Sequence, residues 1–112
     1  GVEYRAAYTR AVGYDGVLHG GGVLTARRVR TIWEKASQGL MREAMDLDRE
    51  NSLFLGAVYN RFSRPLQNVA GQKYALKLLG VFDSEAVLID QPMNDVSKQR
   101  IAAAIEQNRD WL

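Results

Sequence analysis

Four features of the sequence are of residue types that do chemistry. Lys73 sits early on an amphipathic segment, next to Gln72. A Schiff-base lysine must be neutral, so it needs burial or a cationic neighbour. On a helix, a lysine in this position more often snorkels or pairs with an acid. His19, the one histidine, closes the apolar run Gly16-Val17-Leu18. It titrates near neutrality and is either a substrate-touching acid–base group or a hydrogen-bonded packing residue. Gly20-Gly21-Gly22 before a helix presents backbone N–H groups to an anion or simply turns the chain. Arg27, Arg28 and Arg30 share one helical turn, with Glu34 four residues from Arg30. That cluster reads as a solvated face. Its sharper reading is phosphate or nucleic-acid contact, but no aromatic interleaving or recognition motif accompanies it, so no nucleic-acid partner is expected.

Composition narrows the classes. The 112 residues contain no cysteine, 46% apolar residues and 25% charged residues, with a net charge of +2. Without cysteine there is neither a disulfide framework nor a Cys-based zinc site. A lone histidine excludes a His-rich metal site and a Cys–His nucleophile. No run of roughly 18 apolar residues occurs, so no transmembrane helix and no membrane partner is expected. No leader pattern opens the chain, and a cytoplasmic location is expected. The first residue is Gly1, which suits a processed chain or a piece of a longer one.

The elements follow from spacing. Tyr4, Ala7, Tyr8 and Ala11 form a helix stripe that stops at Gly13. Gly16–His19 reads as one buried strand. Thr25 is the expected N-cap of the next helix, whose buried face carries Val29, Ile32, Trp33 and Ala36 before Gly39. A long helix is expected from Leu40 to about Phe62, with one polar gap at Asn51 and a break at Pro65. Another runs from Val69 to Leu79 and stops at Gly80. Residues 81–95 read as loop, with Ala86-Val87-Leu88-Ile89 a strand or a docked segment. Asp95 or Ser97 caps the last helix, whose face carries Ile101, Ala104, Ile105 and Leu112. Trp33 and Trp111 are expected to pack, and Trp111 also suits a subunit interface. A single strand cannot satisfy its own backbone, so the pattern calls for missing strands upstream or in a partner.

Two stretches carry a resemblance. The first is Gly1-Val2-Glu3, a helix and turn, then Asp15-Gly16-Val17-Leu18-His19-Gly20. The second is Asn68-Val69-Ala70-Gly71-Gln72-Lys73, then Ala75-Leu76-Lys77-Leu78-Leu79-Gly80, then Gln91-Pro92-Met93 and a capped final helix. Together they resemble the C-terminal part of the dihydrodipicolinate synthase / N-acetylneuraminate lyase superfamily. The likeness extends over nearly the whole chain. Val69 and Gly71 stand where the family has prolines, and His19 and Gly20 where many members have small or hydroxyl residues.

The resemblance implies an α/β parent, a (β/α)8 TIM barrel of about 250 residues. This mostly α chain would hold the barrel's end in residues 1–38, with Gly1-Val2 ending strand seven and Gly16–His19 forming strand eight. Residues 39–112 would be the C-terminal helical extension. The implied parent is a pyruvate-type Schiff-base lyase: an aldolase, synthase or dehydratase acting on 2-keto acids. Its imine-forming lysine and proton-shuttling tyrosine would lie upstream, leaving no catalytic residue in this chain. Gly1, Glu3, His19, Gly20 and Gly21 would occupy substrate-contact positions. For Glu3 the simpler role is a first-turn helix acid. The chemistry requires no cofactor and no metal. The implied partners are the rest of the barrel and further copies of the chain, as a homo-oligomer, commonly a tetramer. The rival reading is a non-catalytic small helical interaction or oligomerisation module. A nucleic-acid-binding helical module ranks third.

Overall fold

The computed structural model describes residues 4–60, 68–88 and 93–112. They form α1 (Ala6–Ala11), α2 (Gly22–Ser37), α3 (Met41–Val58), α4 (Asn68–Leu78) and α5 (Asp95–Gln107), then a 3-10 turn at Arg109–Trp111. No described residue is in a β-strand. The barrel expectation is therefore overturned: Gly16–His19 is neither strand nor helix, and Ala86–Leu88 is no strand either. A four-residue apolar run bounded by glycine specifies burial but supplies no neighbour for its backbone, and a strand is defined by that neighbour. Gly1-Val2, Phe62, Pro65 and Gln91-Pro92 lie outside the described residues.

The chain divides into two compact units, residues 1–53 with 111–112, and residues 54–110. In the first unit α1 packs on α2. Its core is built from Ala6, Ala7, Val29, Ile32, Ala36 and Ala44, with Val17, Met41 and Leu47 packed against it. α1 is short, and its small buried alanines allow the close approach. Its end and that of α2 fall at glycines in the left-handed region, Gly13 (φ +97°) and Gly39 (φ +79°), as the spacing predicts. α2 begins one turn earlier than expected. The Gly21 carbonyl accepts from the N–H groups of Leu24 and Thr25, so Thr25 lies inside the helix. Its hydroxyl also donates to Gly21, at 3.1 Å.

The α2 surface corrects another expectation. Arg28 is not on a solvated face; it is only 2% exposed. Its guanidinium lies over the Trp111 ring, 5.2 Å from the centroid. Burial pulls its pKa below the ordinary value, and the nearby Glu50 opposes that shift. Arg27 and Arg30 are exposed, and Arg30 pairs with Glu34 at 2.8 Å. A cation that reaches a ring and an acid tolerates burial that an unpaired one does not.

Asn51 fills the predicted polar gap by being fully buried. Among the described residues, neither its amide nitrogen nor its amide oxygen has a hydrogen-bond partner. Such a group carries a desolvation penalty of about 1–3 kcal/mol, whereas an apolar group of the same shape carries none. Asn51→Leu keeps the branched four-atom side chain and raises helix propensity. The expected result is a gain of about 1 kcal/mol in urea unfolding, seen as a higher midpoint with an unchanged slope. A lower midpoint would mean that the amide is satisfied in solution.

In the second unit α4 packs on α5. Its core includes Phe54, Leu55, Val58, Ala75, Ile101 and Ile105. α3 ends at Val58, short of the expected Phe62, and Asn60 adopts φ +52°. Asparagine tolerates that left-handed conformation better than most residues. The buried Asn60 side chain then accepts from the Ser97 hydroxyl at 3.2 Å. Gly71 on α4 faces the Val58 carbonyl so closely that a Cβ would collide with its oxygen. α5 is capped by Asn94, whose Oδ1 accepts from the Ser97 N–H at 2.8 Å, rather than by Asp95 or Ser97. Ile101, Ala104 and Ile105 face inward as expected. The stretch after Gly80 (φ +74°) is held by lysines. Lys77 and Lys98 both pair with Glu85, at 3.2 and 2.5 Å, and Lys98 first, then Lys77, holds that carboxyl below its ordinary pKa.

Candidate functional site

The residues with functional promise gather in the first unit, around the 15–19 stretch. Val17 is partly buried against the core, while the next residue, Leu18, is 88% exposed. Between Asp15 and Leu18 no backbone amide or carbonyl makes a main-chain hydrogen bond among the described residues. A cleft opens on each side of this ridge. One, of about 540 Å³, lies towards α2 and is lined by Val17, Leu18, His19, Val29, Arg30 and Trp33. The other, of about 390 Å³, lies towards α1 and is lined by Tyr8, Val12, Tyr14, Val17 and Leu18. Tyr8, Val12, Tyr14 and Leu18 are all exposed large apolar side chains. Trp33 is held at its cleft by Arg10, whose guanidinium lies 5.8 Å from the ring centroid and donates to the Ser37 hydroxyl at 2.8 Å.

The expected substrate-contact residues separate. Gly1 and Glu3 lie outside the described residues. His19 is half-buried at the cleft towards α2 and interacts electrostatically with Asp48. Gly20 is exposed, and Gly21 is buried at the start of α2. The Gly22 N–H donates to the His19 carbonyl at 3.2 Å, so one amide of the glycine triplet is committed within its own turn. Lys73 belongs to the second unit and donates to the Ala86 carbonyl at 2.7 Å. That is a structural lysine, as its helix position suggests. Among the described residues no group of three His, Cys, Asp or Glu could hold a metal ion. No helix of the described residues is long and apolar enough to cross a membrane.

Sequence reasoning missed Asp48. Its two carboxylate oxygens accept from the first two N–H groups of α1, Ala6 at 3.2 Å and Ala7 at 3.1 Å. Burial raises the Asp48 pKa; the Ala7 and Ala6 amides and the His19 charge act against that rise. The available signal was position: Asp48 lies four residues after Ala44, on the buried stripe of α3, where an unpaired acid is costly.

Comparison with protein-family models, curated proteins and solved structures finds no match to this chain.

Proposed function

We propose that the chain is a non-catalytic helical module that associates with a second copy of itself through the Leu18 ridge. The keto-acid lyase reading relies on a barrel strand at Gly16–His19, and that stretch is not a strand. The module reading needs no strand inside the chain. One observation carries it: Leu18 stands 88% exposed between two apolar clefts. A two-fold interface uses the same patch on both partners, so the patch must complement itself. In such a pair each Leu18 would enter a cleft of the other copy. Clustered exposed apolar groups mark interaction surfaces on proteins of this size, and the open backbone of 15–18 adds donors and acceptors for a partner segment.

Sedimentation velocity over a concentration series tests this. The wild-type chain is expected to move from monomer towards dimer as concentration rises. Leu18→Glu, which places a charge on a side chain that supports no core, is expected to remain monomeric with an unchanged circular dichroism spectrum. A wild-type chain that stays monomeric throughout, or a Leu18→Glu variant that dimerises equally, would sink the proposal.

A further inference from the structure

We infer that a third cleft of the first unit, between α1 and the Met41–Ser52 part of α3, binds an aromatic carboxylic acid. Its volume is about 440 Å³, within the size range of small-molecule sites. Tyr4, just before α1, Tyr8 on α1, and the thioether side chains Met41 and Met45 supply soft apolar walls. Such side chains suit a flat ring: tyrosine stacks on it, and methionine sulfur contacts its edge. Arg5 and Arg49 line the same cleft from different elements, which puts two guanidinium side chains within reach of it. Guanidinium forks hold carboxylates in bidentate fashion.

Asp48 also borders the cleft, but its charge is already spent. Both of its oxygens accept from α1 amides, at 3.2 and 3.1 Å, so it does not compete for the arginines as a free acid would. The lining therefore offers two cations against one committed anion, which selects a negatively charged ligand over a neutral or cationic one. Arg5 has a fixed backbone position. Its carbonyl accepts from the Thr9 N–H at 2.9 Å and the Thr9 hydroxyl at 2.8 Å, which anchors the residue at the head of α1. Arg49 follows Asp48 on α3 and is exposed. Its replacement leaves the core untouched. The site leaves out Leu18, but Arg5 and Tyr8 also line the cleft towards α1, so the Leu18→Glu variant is titrated beside the wild type to keep the two interactions apart.

Isothermal titration with naphthaleneacetate, its neutral amide and acetate provides the test. The acid is expected to saturate a single site, with the amide at least about tenfold weaker, as loss of a charge-assisted bond predicts. Acetate, lacking the ring, is expected to fall short of the acid by a similar factor. Arg49→Gln and Arg5→Gln should each weaken the acid about tenfold and leave the amide unchanged. Arg42→Gln, an exposed arginine of the same helix outside the cleft, should bind the acid as the wild type does. Equal binding of acid and amide, no saturable binding of the acid, or equal losses from Arg42→Gln and Arg49→Gln would each overturn the inference.

Discussion

Gly71→Ala is expected to unfold the second unit or leave it destabilised by about 3 kcal/mol or more. A methyl group at this position would collide with the Val58 carbonyl oxygen and lie 2.9 Å from the Val58 carbonyl carbon. Both are backbone atoms, so no side-chain rotation relieves the clash, and α4 must move away from the end of α3. Helix propensity works in the other direction, favouring alanine by about 1 kcal/mol; the steric cost exceeds it. Gly22→Ala is the matching control. It lies at the start of α2, where an added Cβ meets nothing within 4 Å among the described residues, and it is expected to be neutral or mildly stabilising. Urea unfolding of both variants checks the pair. A Gly71→Ala protein as stable as Gly22→Ala would show that α3 and α4 do not approach this closely.

Asp48→Ala is expected to cost about 2–4 kcal/mol, because it strips the acceptors from two buried amides at once. Ala6 and Ala7 are fully buried, and α1 has only six residues. A helix that short does not persist alone in water, so losing its anchor should release it from α2. Asp48→Asn retains one oxygen and should lose about half as much. The carboxyl also sets a pH dependence. Its folded pKa is raised above the ordinary value by burial. Its contribution is therefore fully present below the ordinary carboxylate value and is lost as pH rises through the raised folded one. The stability difference between wild type and Asp48→Asn should grow as pH falls through that window. A difference that shrinks on acidification would mean that the amide hydrogen bonds outweigh the desolvation.

Much of this fold was legible where local rules act alone. Ile101, Ala104 and Ile105 announce their buried face by helical spacing, and Gly13, Gly39 and Gly80 mark chain reversals through the conformation they permit. The failures share a cause: partners distant in sequence. Arg28 looks like a surface residue because Trp111 and Glu50, which make its burial tolerable, cannot be paired with it from spacing. Asp48 looks like one more exposed acid of α3 until α1 is brought to it. Asn94, Asp95 and Ser97 all have cap chemistry, and the chain conformation before α5 decides among them. At Gly16–His19 the apolar pattern points to Val17, which is partly buried against the core. It does not fix the backbone, because burial of one side chain says nothing about which hydrogen-bond partners arrive. For the candidate site, His19 stood out in the sequence, whereas the exposed Leu18 beside it did not: an apolar residue in an apolar run looks buried.

The docking of Trp111 on Arg28 has a consequence for biosynthesis. The first unit is discontinuous along the chain: residues 1–53 are completed only by 111–112, with the whole second unit translated in between. During vectorial synthesis the second unit can collapse as soon as its own residues emerge. The first must wait with Arg28 uncovered by its ring until residues 111–112 have also emerged. Residues 1–53 are thus the first part of this sequence to be made and the last to gain their full set of contacts.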